Sequence, residues 1–180
     1  AADLYEHEKG DAAAALGALA RALPLAPEDT AIEERMLALA GATGDHATAA
    51  RALGEAVAAG PEATRAADLH ERRGGVLETH LGDAKGALAA YLSAFELVPQ
   101  RPVTAAAVVR VATLEAEWDT AATAIVTSAR VRSTFDRALV GALEGAAAAA
   151  GAWSAAAAAL AAAVAADAAL PPALAGELER

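Results

Sequence analysis

The constraint that governs this chain is a turn that comes back at a nearly fixed interval. Gly10-Asp11, Gly44-Asp45 and Gly82-Asp83 are followed by Ala116-Glu117 and Gly151-Ala152, so the first residues of these pairs are spaced 34, 38, 34 and 35 apart. A period of that length is one supersecondary unit, too small to bury its own apolar face, and copies of it must stack to make a core. The 180 residues are therefore read as repeats of one element.

Counting from each turn shows what the unit contains. Five residues on stand Ala15, Ala49, Ala87, Ala121 and Ala156; nine on, Leu19, Leu53, Tyr91, Ile125 and Leu160; twelve on, Ala22, Ala56, Ala94, Ser128 and Ala163. Pro27, Pro61 and Pro99 close the first three units at seventeen, and Trp118 and Trp153, two residues after their turns, tie the last two together. In so alanine-rich a chain the small positions carry little information, so the argument rests on the turns, the large residue at nine and the prolines.

Each feature has a physical role. Glycine supplies the left-handed residue that ends a helix, and aspartate caps the next helix and complements its dipole. Small residues at five and twelve around a large one at nine give a helix face built for close packing. Proline then stops the helix.

A second helical segment precedes each turn, so the unit is a helix-turn-helix hairpin. First helices are expected near residues 30–42, 64–80, 102–115 and 136–150, and second helices near 11–24, 45–59, 83–97, 119–131 and 153–168. The units fall at about 1–29, 30–63, 64–101, 102–135 and 136–170, in a single array over 1–180. Pro24 is expected to shorten or bend the first of these second helices. Arg72-Arg73-Gly74-Gly75 lengthens the third unit, where each glycine costs a helix about 1 kcal/mol relative to alanine, and a long, kinked helix is expected. The opening AADLYEHEKG reads as the end of a first helix and PPALAGELER, over 171–180, as the start of another, which suggests a segment of a longer array, with natural termini and weak caps as the alternative.

This pattern resembles the tetratricopeptide repeat, on the period of 34, the Gly-Asp turn, the alanine, large residue and alanine that follow, and the closing proline. The likeness is weaker in the first helices, where only Tyr5 and Gly75 match the family's pattern, so a related helical-hairpin repeat stays open. The resemblance implies an all-α right-handed α-solenoid of about five stacked hairpins, whose first helices line a concave groove for a peptide or partner helix. Counting back from the turns places Arg72, Val76, Thr79 and His80 of the third unit and Ala106, Arg110, Thr113 and Leu114 of the fourth on that wall. A solvated helix face is the competing reading of the same arginines. The family's clamp for C-terminal carboxylates uses asparagine, which this sequence lacks, so chaperone-tail binding is not expected.

Other functions find little support. A formal charge of −10, with Lys9 and Lys85 the only lysines, opposes binding to a nucleic-acid backbone. The uncharged run within 145–166 is hydrophobic through alanine, which gains little in lipid, and Gly151 divides it, so a membrane span is not expected. His7, His46, His70 and His80 lack metal-site spacing and are read as solvated. Glu33, Glu34, Asp68, Glu71 and Glu78 read as surface partners of nearby arginines, such as Asp68 with Arg72. The serines lack a nucleophile frame, and Gly74-Gly75 lacks the strand and lysine of a phosphate loop. No cofactor and no catalysis are expected.

With no cysteine there is no disulfide framework, and reducing and oxidising compartments both suit the chain. No signal peptide is visible in the acidic amino terminus, and the compartment stays open, with the cytoplasm slightly favoured. The expectation is a non-catalytic protein-interaction scaffold. The alternatives are an accessory domain of a larger enzyme or signalling protein, and a spacer or oligomerisation module.

Overall fold

The computed structural model describes residues 11–178 and is helical throughout, with no strand among them. The helices are α1 (Ala12–Ala22), α2 (Thr30–Thr43), α3 (His46–Ala58), α4 (Ala63–Leu81), α5 (Ala84–Leu97), α6 (Pro102–Leu114), α7 (Trp118–Arg132), α8 (Arg137–Ala150), α9 (Trp153–Ala166) and α10 (Pro172–Leu178). Each expected helix is present with limits within two residues. Gly10, Tyr5 and the reading of the first ten residues as the end of a helix lie outside the described residues.

The turns adopt the backbone that the repeat requires. Gly44, Gly82 and Gly151 have φ of 75°, 64° and 65°, and Ala116, which stands where the others have glycine, has φ of 58°. After Ala116 and Gly151 the chain closes with paired bonds: Ala116 N–H donates to Thr113 O and Glu117 N–H to Ala112 O, while Gly151 N–H donates to Ala148 O and Ala152 N–H to Ala147 O. These satisfy carbonyls that the helix end would leave without partners. The next helix then starts on the aspartate: Asp11, Asp45 and Asp83 accept from the amides of Ala14, Thr48 and Gly86 at 2.9, 3.1 and 2.9 Å. Glu117 and Ala152 make no such cap.

Pro24 acts as expected. Leu23–Leu25 tighten into a 3-10 turn at the end of α1, because proline has no N–H to continue the ladder.

The chain divides into two compact parts, one ending at Leu97 and the other starting at Val98. In the first, α1 packs on α2 and α3, α3 on α4, and α4 on α5. Ala15, Leu16, Leu19, Leu23, Met36, Leu53, Ala56 and Leu69 fill its interior. In the second, α6 packs on α7 and α8, and α9 on α7, α8 and α10, around Val108, Val109, Val111, Ile125 and Val126. The residue nine after the turn is buried in α1, α3, α5 and α7, while Leu160 of α9 is half-exposed. Ser128, at a position where the other units have alanine, is buried without a partner for its Oγ among the described residues.

The double glycine has a packing explanation. Helix α4 runs unbroken for 19 residues through Gly74 and Gly75. A Cβ on Gly74 would lie 2.7 Å from the Tyr91 ring of α5, whereas one on Gly75 would meet only the Tyr91 hydroxyl, at 3.8 Å. Tyr91 is buried there and donates from its hydroxyl to Glu78 Oε2 at 3.1 Å. Gly74 thus trades helix propensity for close approach of an aromatic ring.

Two predictions follow from this geometry. Gly75→Ala should raise thermal stability, by up to about 1 kcal/mol of recovered propensity, whereas Gly74→Ala should lower it by about 1–3 kcal/mol as the helices are forced apart; denaturant melts of the two variants, equal in chemistry, read the contrast directly. Ala116→Gly should stabilise by about 1 kcal/mol, because it relieves a left-handed alanine, and a shift of the melting midpoint in the opposite direction would contradict that account.

Candidate functional site

The polar centre of the first part lies between α2 and α4, the first helices of consecutive hairpins. Glu33 of α2 is 2 % exposed and Arg65 of α4 is 8 % exposed. Arg65 Nη1 is 2.6 Å from Glu33 Oε2, and its Nε donates to Pro27 O at 2.8 Å. Arg72, one α4 stretch further on, brings its Nε to 3.2 Å from the other oxygen, Glu33 Oε1, while its side chain stays 60 % exposed. One buried carboxylate is therefore held by two guanidiniums. Arginine suits this arrangement because its planar fork offers several donors in fixed directions.

Local sequence explains how the groups reach each other. Asp29 accepts from the amides of Ala31 and Ile32 at 3.0 and 3.2 Å, fixing the start of α2 one turn before Glu33. Arg65 and Arg72 are seven apart on α4, two helical turns, and so share a face. With Thr30, Glu34, Asp68 and Glu71 they line a cleft of about 360 Å³. Arg65 Nη2 is buried there and finds no hydrogen-bond partner among the described residues.

Glu33 was expected on the surface and is instead in the interior. The reason is non-local: the neutralising guanidinium of Arg65 comes from the next hairpin, nearly one repeat away, and makes burial tolerable. Opposite charges on first helices of successive units are the signal that could have shown it.

The residues expected along a groove fall into two groups. On α4, Arg72, Thr79 and His80 are exposed, while Val76 is buried at 8 % exposure and belongs to the core. On α6, in the other compact part, Ala106, Arg110 and Leu114 are exposed and Thr113 is half-buried, with its hydroxyl donating to Arg110 O at 2.9 Å. Only the α4 group adjoins the cleft, through Arg72.

The second part holds a larger hollow of about 670 Å³ among α8, α9 and α10. Its walls are Leu143, Leu160, Val164 and alanines, with Trp153, 54 % exposed, and the charged side chains of Arg137, Glu144 and Glu177 also lining it. Those charged groups are exposed, and among the described residues no buried polar side chain lines the hollow, so the α2–α4 cleft is the better candidate for specific recognition.

The histidines are less uniform than expected; His7 lies outside the described residues. His46 and His80 stack face to face, with ring centroids 3.8 Å apart and planes 1° from parallel, joining the start of α3 to the end of α4. His70 is half-buried, and desolvation, with the nearby charge of Arg73, lowers its pKa below the ordinary value.

No helix among the described residues is long and apolar enough to cross a membrane. Compared with protein-family models the chain finds no match, and no curated protein matches it either.

The lowered pKa of His70 makes stability depend on pH. The contribution of neutral His70 is complete above the unfolded value of about 6.5 and is lost progressively as pH falls from there through the lowered folded value, because the unfolded chain takes up a proton that the folded one resists. The melting temperature should therefore drop less steeply between about pH 7 and 5 in His70→Gln than in the parent. Parallel pH profiles of the two proteins would rule out His70 as the cause.

Proposed function

We propose that this chain is a tetratricopeptide-like α-solenoid and works as a non-catalytic scaffold that binds an extended peptide or a partner helix on the face formed by its first helices. The observation that carries the reading is the left-handed residue at each described turn, Gly44, Gly82, Ala116 and Gly151, every one joining a first helix to a second. Packing between equivalent helices supports it: second helices meet in the pairs α1 with α3 and α7 with α9, and first helices in α6 with α8. Such stacking leaves a row of first-helix side chains available to a ligand.

The polar chemistry fits recognition better than reaction. The most buried charged group among the described residues, Glu33, has both carboxylate oxygens engaged by arginines, a pairing that positions side chains rather than holding this carboxylate ready as a general base. Binding on such a surface draws on many modest contacts held in register by rigid helices.

An unbiased displayed-peptide library tests the proposal. It should yield peptides that bind the isolated chain with one-to-one stoichiometry, and a Thr79→Arg variant, which adds bulk to the exposed first-helix face, should lose at least fivefold in affinity with little change in melting temperature. A library that yields no such peptide, or peptides indifferent to that variant, would count against the scaffold reading.

A further inference from the structure

Within that scaffold reading, on which the following rests, we infer that the α2–α4 cleft is a recognition site for a peptide segment carrying a basic side chain. Two independent features of the cleft lead there. The first is its balance of charge: four carboxylates, Glu33, Glu34, Asp68 and Glu71, line it against two guanidiniums, Arg65 and Arg72. The second is an unused donor. Arg65 is more than nine-tenths buried, anchored by Glu33 and by Pro27 O, yet its Nη2 has no acceptor among the described residues.

A buried donor without a partner costs free energy until an acceptor arrives. The acceptor that suits this place is a neutral peptide carbonyl. An anionic group would have to pass Glu34, Asp68 and Glu71, whereas a carbonyl carries no net charge and can follow a cation that those carboxylates attract.

The arrangement therefore divides the work between floor and rim. Arg65 Nη2 donates to a backbone carbonyl of the ligand once Arg72, whose side chain is mostly exposed, swings aside. Glu34, Asp68 and Glu71 surround the ammonium or guanidinium of the neighbouring lysine or arginine. A cleft of about 360 Å³ has room for one such side chain and its adjoining peptide groups, not for a folded domain. Because Glu33 retains Arg65 as a partner while Arg72 moves, the floor stays neutralised during entry.

The test uses the whole chain and two blocked hexapeptides, acetyl-Gly-Ala-Arg-Ala-Lys-Gly-amide and its acidic counterpart with glutamate and aspartate in place of arginine and lysine. Amide shifts of the isotope-labelled protein are followed on titration with each. The basic peptide should give saturable shifts confined to α2 and α4, at least tenfold tighter than the acidic one, and weakening as salt is raised. Glu34→Gln with Glu71→Gln should reduce its affinity at least fivefold with an unchanged melting temperature, and the Arg65 side-chain N–H signals should move in the parent complex.

Equal binding of both peptides, shifts elsewhere on the chain, no saturable binding, or an indifferent double variant would each overturn the inference. The two levels of the argument separate cleanly. Library peptides that bind this face without a basic residue would remove the inference and leave the scaffold intact, whereas failure to select any peptide would remove the scaffold itself.

Discussion

Everything in this chain depends on one backbone conformation, a left-handed residue at the corner of each hairpin. It ends the first helix, lets the carbonyls at its end find donors, and hands the chain to the start of the second, which Asp45 and Asp83 cap after Gly44 and Gly82. Without it the two helices could not lie against each other, and the small and large residues placed to interlock would face solvent. The cost of the conformation falls on the residue type. Three of the four described corners use glycine, and Ala116 shows that the surrounding packing can enforce the same geometry on a residue that resists it.

The close approach of helices follows from side-chain size, and it is not uniform. Alanines at 49, 56, 87 and 94 bring α3 and α5 near their neighbours, and Gly74 extends the principle to the point where the Tyr91 ring rests on bare backbone. Toward the carboxyl end the same composition has the opposite effect. In α8 and α9 alanine is so frequent that few large side chains remain to fill the space between helices, and a hollow is left. Small residues thus serve tight packing only where large ones alternate with them.

Most of the helical framework was legible in the sequence because its signals are local. A turn, a cap and a proline declare themselves within a few residues, and the expected helices matched those of the structure in position and order. The candidate site was less legible. Arg72 was singled out on its spacing, yet its neighbour Glu33 comes from another hairpin, and the buried role of Arg65 depends on Pro27 O and Glu33 together. Val76, counted onto the same wall, points into the core. Periodicity gives the face of a helix well and the depth of a single side chain poorly, since depth is decided by what the next unit places opposite.

The aromatic residues are distributed unevenly, and this turns the molecule into its own reporter. Trp118 and Trp153 both belong to the part that starts at Val98, while Tyr91, set against Gly74, belongs to the part that ends at Leu97. Indole emission therefore follows one part of the chain alone. The part ending at Leu97 holds no tryptophan, so indole emission reports on its companion without any contribution from it.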